Sequence, residues 1–159
     1  MRNILVPTLA LGLMASLVGA ERSGREMAET SFDSADTNGD GQIQRDEMLT
    51  MGAAIFASMD SDENNALDVD EFLSWGFGFE NLAVERGKSP AYTAALLQVF
   101  NQWDGNADGL VRNGEHAQSI RAEFQNADTN NDGGLSNVEF FNEFSIMKAI
   151  GGVLRPASQ

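Results

Sequence analysis

Apolar side chains recur three and four residues apart in two stretches of the second half of the chain, a spacing typical of helices. The first stretch follows Ser89-Pro90, a favourable helix start. Its apolar positions are Leu96, Leu97, Phe100 and Trp103. The second stretch ends at Gly151-Gly152, which we expect to terminate its helix. Its apolar positions are Phe140, Phe141, Phe144 and Met147.

Four segments of the chain repeat one pattern without gaps. Each begins with Phe four residues before an Asp, which is position 1 of a twelve-residue loop. Asp or Asn follows at positions 3 and 5, an aliphatic residue at position 8 and Glu at position 12. The segments are FDSADTNGDGQIQRDE from Phe32, FASMDSDENNALDVDE from Phe56, FNQWDGNADGLVRNGE from Phe100 and FQNADTNNDGGLSNVE from Phe124. An acidic surface alone does not explain carboxylates at one spacing four times.

This repeat resembles the EF-hand calcium loop, D-x-[DN]-x-[DN]-G-x5-E, which copies one, three and four match fully. We name the copies loop 1 (36–47), loop 2 (60–71), loop 3 (104–115) and loop 4 (128–139). The resemblance implies an all-α fold with two pairs of closely spaced helix-loop-helix units. It also implies up to four Ca²⁺ ions, held by oxygen atoms at positions 1, 3, 5, 7, 9 and 12.

Carried over position by position, the resemblance assigns a metal-ligand set to each loop. The sets in loops 1 and 2 are Asp36, Asn38, Asp40, the Gln42 carbonyl, Gln44 and Glu47, then Asp60, Asp62, Asn64, the Ala66 carbonyl, Asp68 and Glu71. The sets in loops 3 and 4 are Asp104, Asn106, Asp108, the Leu110 carbonyl and Glu115, then Asp128, Asn130, Asp132, the Gly134 carbonyl, Ser136 and Glu139.

Two loops depart from the family pattern. Loop 2 has Asn65 at position 6, where a backbone with positive φ favours Gly. Because Asn tolerates that conformation better than most residues, we expect a strained but working site. Loop 3 has Arg112 at position 9, which cannot accept a hydrogen bond from a bridging water and adds positive charge. Loop 3 is therefore predicted to be the weakest site.

The loop starts are 24, 44 and 24 residues apart, which groups the loops into residues 21–79 and 89–151, with a linker at 80–88 and a tail at 152–159. The family pattern pairs loops through their position 8 residues, here Ile43, Leu67, Val111 and Leu135. Twelve residues separate the loops within each half. Two short helices with a break near Gly52 would let neighbours pair, whereas one continuous helix would force pairing across the halves. Both arrangements stay open, although the second interval contains no Gly or Pro.

Three further features have a structural and a functional interpretation. The aromatic residues in Trp75-Gly76-Phe77-Gly78-Phe79 either fold back on the core, which we favour, or form an exposed contact patch. The methionines of the first half are expected to pack in the core rather than line a groove for a partner. His116 has no nucleophile or base near it in sequence, and we expect it at the surface.

The composition narrows the chemistry further. Ten Lys and Arg residues against 24 Asp and Glu residues give a net charge of −14, which disfavours binding to nucleic acid or to anionic membranes. The absence of cysteine excludes disulfides, thiolate zinc sites and iron–sulfur clusters, and a single histidine excludes His-rich metal centres. A hard cation bound by oxygen fits what remains.

The N-terminus has the organisation of a secretory signal peptide, predicted at residues 1–20. Met1-Arg2-Asn3 precedes an apolar run from Ile4 to Val18, and small residues lie before Glu21. The run is shorter than the roughly 20 apolar residues that span a bilayer. We therefore expect an exported protein, periplasmic or secreted, with no membrane contact after cleavage.

The sequence favours calcium binding without catalysis. It contains no nucleophile elbow, zinc-protease helix or phosphate-binding Gly-Lys-Ser motif. We expect a non-enzymatic calcium buffer or calcium-stabilised protein. The alternative is a calcium sensor that exposes an apolar groove to an unidentified protein partner.

Overall fold

The computed structural model describes residues 20–154, and for residues 20–25 the backbone alone. Its helices are α1 (Ala20–Ala35), α2 (Arg45–Met59), α3 (Val69–Trp75), α4 (Glu80–Glu85), α5 (Ser89–Trp103), α6 (Asn113–Ala127), α7 (Asn137–Glu143) and α8 (Ser145–Leu154). Its strands are β1 (Gln42–Gln44), β2 (Ala66–Leu67), β3 (Val111–Arg112) and β4 (Gly134–Ser136). The predicted all-α class is confirmed. The predicted signal peptide lies outside the described residues, apart from Ala20.

Within residues 20–154, none of the helices combines the length and the apolar character needed to cross a bilayer. The longest, α1, has 16 residues, and the core-facing helices α2, α5 and α6 have 15 each. Their apolar side chains are directed to a core that α8 also covers.

Helices α2 and α6 are each shared by two loops. Helix α2 begins inside loop 1, passes through Gly52 without a break and ends at loop 2. Helix α6 joins loop 3 to loop 4 in the same way. Fifteen residues of helix span about 22 Å. The two loops on one shared helix therefore lie at its opposite ends.

Strand pairing follows from these shared helices. Strand β1 pairs with β4, with Ile43 opposite Leu135, and β2 pairs with β3, with Leu67 opposite Val111; both pairs are antiparallel. All four side chains are fully buried. Pairing across the halves is thus the observed alternative. Residues 21–79 and 89–151 do not form separate loop pairs, because a straight helix holds sequence neighbours apart.

The shared helices pack against each other at Gly52. A Cβ atom built at this glycine lies 3.3 Å from Cγ1 of Ile120 and 3.5 Å from Cε1 of His116, both on α6. Gly52 is buried in the middle of α2, where a glycine weakens a helix by about 1 kcal/mol relative to alanine. The glycine therefore serves close helix approach and does not mark a helix end.

Two polar residues of α6 lie in the core. His116 is 3% exposed and packs between Phe56 and Trp103, with ring centroids 5.3 and 4.8 Å away, so its expected surface position is wrong. Burial lowers the pKa of His116 to about 4. Glu123 is also buried and accepts a 2.5 Å hydrogen bond from the Trp103 indole N–H. Burial raises the pKa of Glu123, which favours the uncharged acid.

The helix predicted after loop 4 is interrupted. A single helix up to Gly151-Gly152 was expected, but α7 ends at Glu143 because Phe144 takes an extended conformation, with φ −67° and ψ 127°. Helix α8 then turns to pack on α5 and passes through both glycines. It continues to the buried Leu154, where the carbonyl accepts a hydrogen bond from Arg86. Residues 152–154 of the predicted tail therefore belong to α8, and the rest of that predicted tail lies outside the described residues.

The predicted linker at 80–88 contains helix α4, which buries Leu82 and Ala83 in the core. Phe79 is buried, and Phe77 packs on Phe72 with ring centroids 5.3 Å apart. The rings at 77 and 79 thus fold back on the core as favoured. Trp75 does so less completely and is 37% exposed.

The methionines of the first half pack as expected. Met48 and Met59 are fully buried. Met27 and Met51 are half-buried and lie against the same core. The core-packing interpretation of these four side chains is confirmed.

Gly52→Val tests the close approach of the shared helices. The added methyl groups meet Ile120 and His116, so we expect the free energy of unfolding to fall by about 1–3 kcal/mol. Gly152→Val, in a helix position with nothing within 4 Å of the new Cβ, is the matched control and should change stability by less than about 0.5 kcal/mol. Urea unfolding in chelator measures both, and equal midpoints would contradict the packing argument.

Candidate metal centre

Each loop begins where a helix ends, so its first aspartate has a fixed position. The N–H of that aspartate donates to the carbonyl of the Phe four residues earlier, at 2.9–3.0 Å. The phenylalanines are all buried, which anchors the helix end in the core. These pairs are Phe32–Asp36, Phe56–Asp60, Phe100–Asp104 and Phe124–Asp128. The conserved spacing of the repeat thus joins core packing to the first predicted ligand.

The first aspartate also shapes the loop. In all four loops its Oδ1 accepts the N–H of position 5 at 3.0–3.2 Å, and its Oδ2 accepts the N–H of position 6 at 2.8–3.0 Å. Carboxylate acceptors of this kind form charge-assisted hydrogen bonds, which are stronger than neutral ones. The chain therefore curls around one side of this carboxylate.

Positions 3 and 5 are oriented by the backbone two residues further on. Oδ1 of position 3 accepts the N–H of position 5 at 2.8–3.1 Å. Oδ1 of position 5 accepts the N–H of position 7 at 2.7–3.1 Å. Asp and Asn side chains form such turns readily. The other side-chain atom of these residues forms further hydrogen bonds with polar side chains, as between Asn64 Nδ2 and Asp62 Oδ2 at 2.8 Å.

Two positions in every loop have positive φ. The sequence pattern predicts positive φ at position 6, and Asn65 adopts φ +64° there. The sequence analysis did not predict positive φ at position 4. Gly39 in loop 1 and Asn131 in loop 4 are nevertheless residue types that favour this conformation. Loops 2 and 3 place Glu63 and Ala107 at position 4, with φ +60° and +57°. Left-handed backbone at such residues costs about 1–2 kcal/mol, so both loops are strained.

The glutamate at position 12 folds back over its loop. Its Oε2 accepts the N–H of position 9 at 2.9–3.1 Å in all four loops. In loops 1, 2 and 4 its Oε1 also accepts the N–H groups of positions 2 and 3, at 2.8–3.0 and 3.1–3.4 Å. The glutamates are Glu47, Glu71, Glu115 and Glu139.

In loops 1, 2 and 4 these hydrogen bonds favour the ionised glutamate. Burial acts to raise the pKa of Glu47 and Glu71, but the loop N–H and hydroxyl donors outweigh it and hold each pKa below its ordinary value. In loop 4 the Ser136 hydroxyl, with further loop donors, lowers the pKa of Glu139 to about 2. A cation therefore meets carboxylates rather than carboxylic acids near neutral pH.

The position 9 side chain caps the next helix in loops 2 and 4 and bridges two loop residues in loop 1. Asp68 accepts the N–H groups of Asp70 and Glu71 at 2.8 Å and so caps α3, and Ser136 caps α7 by accepting the N–H of Glu139 at 3.3 Å. Gln44 spans loop 1, since its side chain accepts from Asn38 at 2.7 Å and donates to Asp40 at 2.8 Å.

Loop 3 contains a positively charged side chain, that of Arg112. The Arg112 guanidinium lies 2.5 Å from Oδ2 of Asp108 and 3.8 Å from Oε2 of Glu115. The hydrogen bond from Arg112 lowers the pKa of Asp108. The pair is solvent-exposed and so contributes little to stability. Its charge nevertheless opposes a metal ion in this loop.

Loops 1 and 4 touch through a predicted ligand. The Gln42 side chain donates from Nε2 to Oδ2 of Asp132 at 3.2 Å, across the β1–β4 pair. Gly134 makes room for it, because a Cβ atom at this position would lie 2.6 Å from Oε1 of Gln42. The carboxylate at position 5 of loop 4 is thus contacted from loop 1.

The donor set fits a hard divalent cation. Carboxylate, amide and backbone carbonyl oxygens are the ligands that Ca²⁺ prefers. In loop 2, carboxylate oxygens of Asp60, Asp62 and Glu71 lie within 4.8 Å of one another. Among the described residues, the acidic side chains of loops 1, 3 and 4 form no such group, so the structure brings three predicted carboxylate ligands together in loop 2 alone.

A family model for the EF hand matches residues 28–51 and 120–144. The matched segments contain loops 1 and 4, which are also the two loops joined by strands β1 and β4. Loops 2 and 3 lie outside these segments but share the hydrogen-bond pattern of positions 1, 3 and 5, and in both the position 12 glutamate accepts the N–H of position 9. The comparison with curated proteins gives no match.

Ala107→Gly tests the strain at position 4. Glycine adopts positive φ freely, so we expect calcium-free stability to rise by about 0.5–1 kcal/mol after the added unfolded-state entropy is subtracted. Ala122→Gly, on the exposed face of α6, is the matched control and should lower stability by about 1 kcal/mol. Urea unfolding in chelator decides, and a loss of stability in both variants would exclude strain at Ala107.

Ser136→Ala tests the low pKa of Glu139 in calcium-free protein. Because the folded-state pKa lies below the unfolded value, its stabilisation is complete above about pH 4.5 and is lost as pH falls toward 2. Removing the hydroxyl should raise the pKa of Glu139 and flatten this loss.

Carboxyl NMR titration of Glu139 measures the change. Ser58→Ala, whose hydroxyl donates to the Ala54 carbonyl in α2, is the control and should leave the titration unchanged. An unshifted Glu139 titration in Ser136→Ala would contradict the assigned cause.

Proposed function

We propose that this chain, which belongs to the EF-hand superfamily, binds up to four Ca²⁺ ions and acts as a calcium buffer or calcium-stabilised protein. Calcium binding follows from the superfamily. The observation that supports four sites is the common geometry of the loops. Loops 2 and 3 lie outside the matched segments, yet their first aspartates accept the same two N–H groups as those of loops 1 and 4.

The charge distribution supports a stabilising role. Sixteen of the 24 acidic residues lie in the four loops, so their mutual repulsion is concentrated where the metal ligands are predicted. A bound Ca²⁺ neutralises two charges in its loop and relieves this repulsion. Since the loop geometry belongs to the folded chain, ions that bind it also shift the folding equilibrium toward that state.

The four loops are proposed to differ in affinity, with loop 3 the weakest. Loop 2 supports a strong site, because three carboxylates converge there. In loop 3, Arg112 holds Asp108 in an ion pair and places its positive charge near Glu115. An entering ion has to overcome this repulsion and release Asp108 from the pair.

We further propose that the chain is not an enzyme and that it is exported. The superfamily is one of calcium-binding proteins, and His116, the single histidine, is buried between two aromatic rings. The sequence of residues 1–20 supports export to the periplasm or the medium.

One observation favours the alternative sensor role. A cleft of about 340 Å³ beside loop 2 is lined by six polar residues together with Met59 and the partly exposed Trp75. Calcium-driven opening of α2 and α3 would enlarge the apolar surface there, as in sensors of this superfamily. A dye that reports exposed apolar surface separates the roles: increased binding with calcium supports the sensor, and no change supports the buffer.

Isothermal calcium titration of the purified, chelator-stripped chain tests the proposed function. We expect three or four ions per chain. Replacing each position 12 glutamate in turn by glutamine should weaken binding, with Glu115→Gln having the smallest effect because loop 3 binds least. Glu85→Gln, on the exposed face of α4, is the control and should leave the stoichiometry unchanged. A chain that takes up no calcium at millimolar concentration would exclude the proposal.

A further inference from the structure

Position 2 of the loops carries a hydroxyl group in three of the four copies. Its side-chain oxygen donates to Oε1 of the position 12 glutamate, at 2.7 Å from Thr37 to Glu47, 3.0 Å from Ser61 to Glu71 and 2.9 Å from Thr129 to Glu139. The backbone N–H of the same residue donates to the same oxygen. One residue thus holds the glutamate through two hydrogen bonds.

Loop 3 lacks this group, because its position 2 is Gly105. Among the hydrogen bonds of the described residues, Glu115 accepts only the N–H of Arg112, at 3.1 Å. Its side chain is 21% exposed; Glu47 and Glu139 are buried, and Glu71 is half-buried, so the difference lies in the hydrogen bonds and not in burial. The glutamate without a hydroxyl partner is therefore the less constrained one.

The hydrogen-bonded position 12 glutamate of loop 2 lies close to the other predicted carboxylate ligands of that loop. In loop 2, Glu71 accepts hydrogen bonds from Ser61 on one oxygen and from Asp68 on the other. In this position its carboxylate lies within 4.8 Å of carboxylate oxygens of Asp60 and Asp62. The hydroxyl therefore helps to keep the glutamate turned into the loop and not toward solvent.

We propose that the hydroxyl groups of Thr37, Ser61 and Thr129 are positioning groups that preorganise the position 12 glutamate for calcium. This inference rests on the proposed function. A free glutamate side chain loses rotamer freedom when it binds an ion, and a side chain already held by hydrogen bonds loses less. Gly105 then weakens loop 3 independently of Arg112.

Replacement of the Thr129 hydroxyl tests the loss of positioning in loop 4. Thr129→Val keeps the shape of the side chain but removes the donor, and Thr129→Ser keeps the donor. We expect Thr129→Val to weaken calcium binding at loop 4 by about three- to tenfold and Thr129→Ser to restore it. Thr50→Val is the matched control, since the Thr50 hydroxyl donates to the Asp46 carbonyl within α2.

Gly105→Ser tests the gain of positioning in loop 3. Gly105 does not have positive φ, and a Cβ atom there would lie 4.0 Å from Oε1 of Glu115, so a serine hydroxyl comes within reach. We expect this variant to bind calcium at loop 3 about threefold more tightly. Because it adds a group to a solvent-exposed position, it also provides a test if Thr129→Val fails to fold.

Amide NMR during titration with CaCl₂ resolves the individual loops in the full chain. The N–H groups of Gly109 and Gly133 donate to the first aspartates of loops 3 and 4 and report each site. Thermal unfolding in chelator measures the calcium-free stability of every variant. Weaker binding in Thr129→Val with rescue by serine, or tighter binding in Gly105→Ser, supports the inference.

Unchanged loop 4 affinity in Thr129→Val, with only its calcium-free stability lowered, would mean a merely structural hydroxyl and would overturn the inference while calcium binding by the parent chain stands. Unchanged loop 3 affinity in Gly105→Ser would also count against it. A parent chain that binds no calcium at any loop would overturn the proposed function and the inference together.

Discussion

A straight helix cannot bring its two ends together, and this constraint decides how the four loops associate. Helices α2 and α6 each have 15 residues and a loop at either end. Neighbouring loops are thus kept about 22 Å apart and have to find strand partners in the other half of the chain. The pairs β1–β4 and β2–β3 meet that need, and the shared helices pack face to face between them.

The resulting connections form a closed cycle. Loop 1 is joined to loop 2 through α2, loop 2 to loop 3 through β2 and β3, loop 3 to loop 4 through α6, and loop 4 to loop 1 through β4 and β1. Every loop therefore has one neighbour through a helix and one through strands. The Gln42–Asp132 contact adds a side-chain link between loops 1 and 4.

Local chemistry made the loops predictable from sequence. Residues such as Asp36 and Asn65 act on groups only a few positions away, so their spacing alone indicated the turn. The pairing of the position 8 aliphatic residues was expected from the family resemblance and not from local chemistry. The positive φ of Ala107 was not, because the surrounding hydrogen bonds impose it against the preference of alanine.

Long-range packing was not readable from the sequence in the same way. Gly52 suggested a break, but it is the point where α6 approaches, which only the fold reveals. His116 follows polar residues in the sequence of α6, yet the rings of Phe56 and Trp103 enclose it. The bend at Phe144 likewise arises because α8 packs on α5, a contact between segments far apart in the chain.

The antiparallel partnership of residues 42–44 with residues 134–136 has a consequence for biosynthesis. Residues 134–136 leave the ribosome about 90 residues after residues 42–44. Strand β1 therefore has no native partner while the intervening stretch is synthesised, and closing so long a loop slows the pairing. Pairing of β1 with β4 thus follows the synthesis of the first three loops and does not proceed loop by loop along the nascent chain.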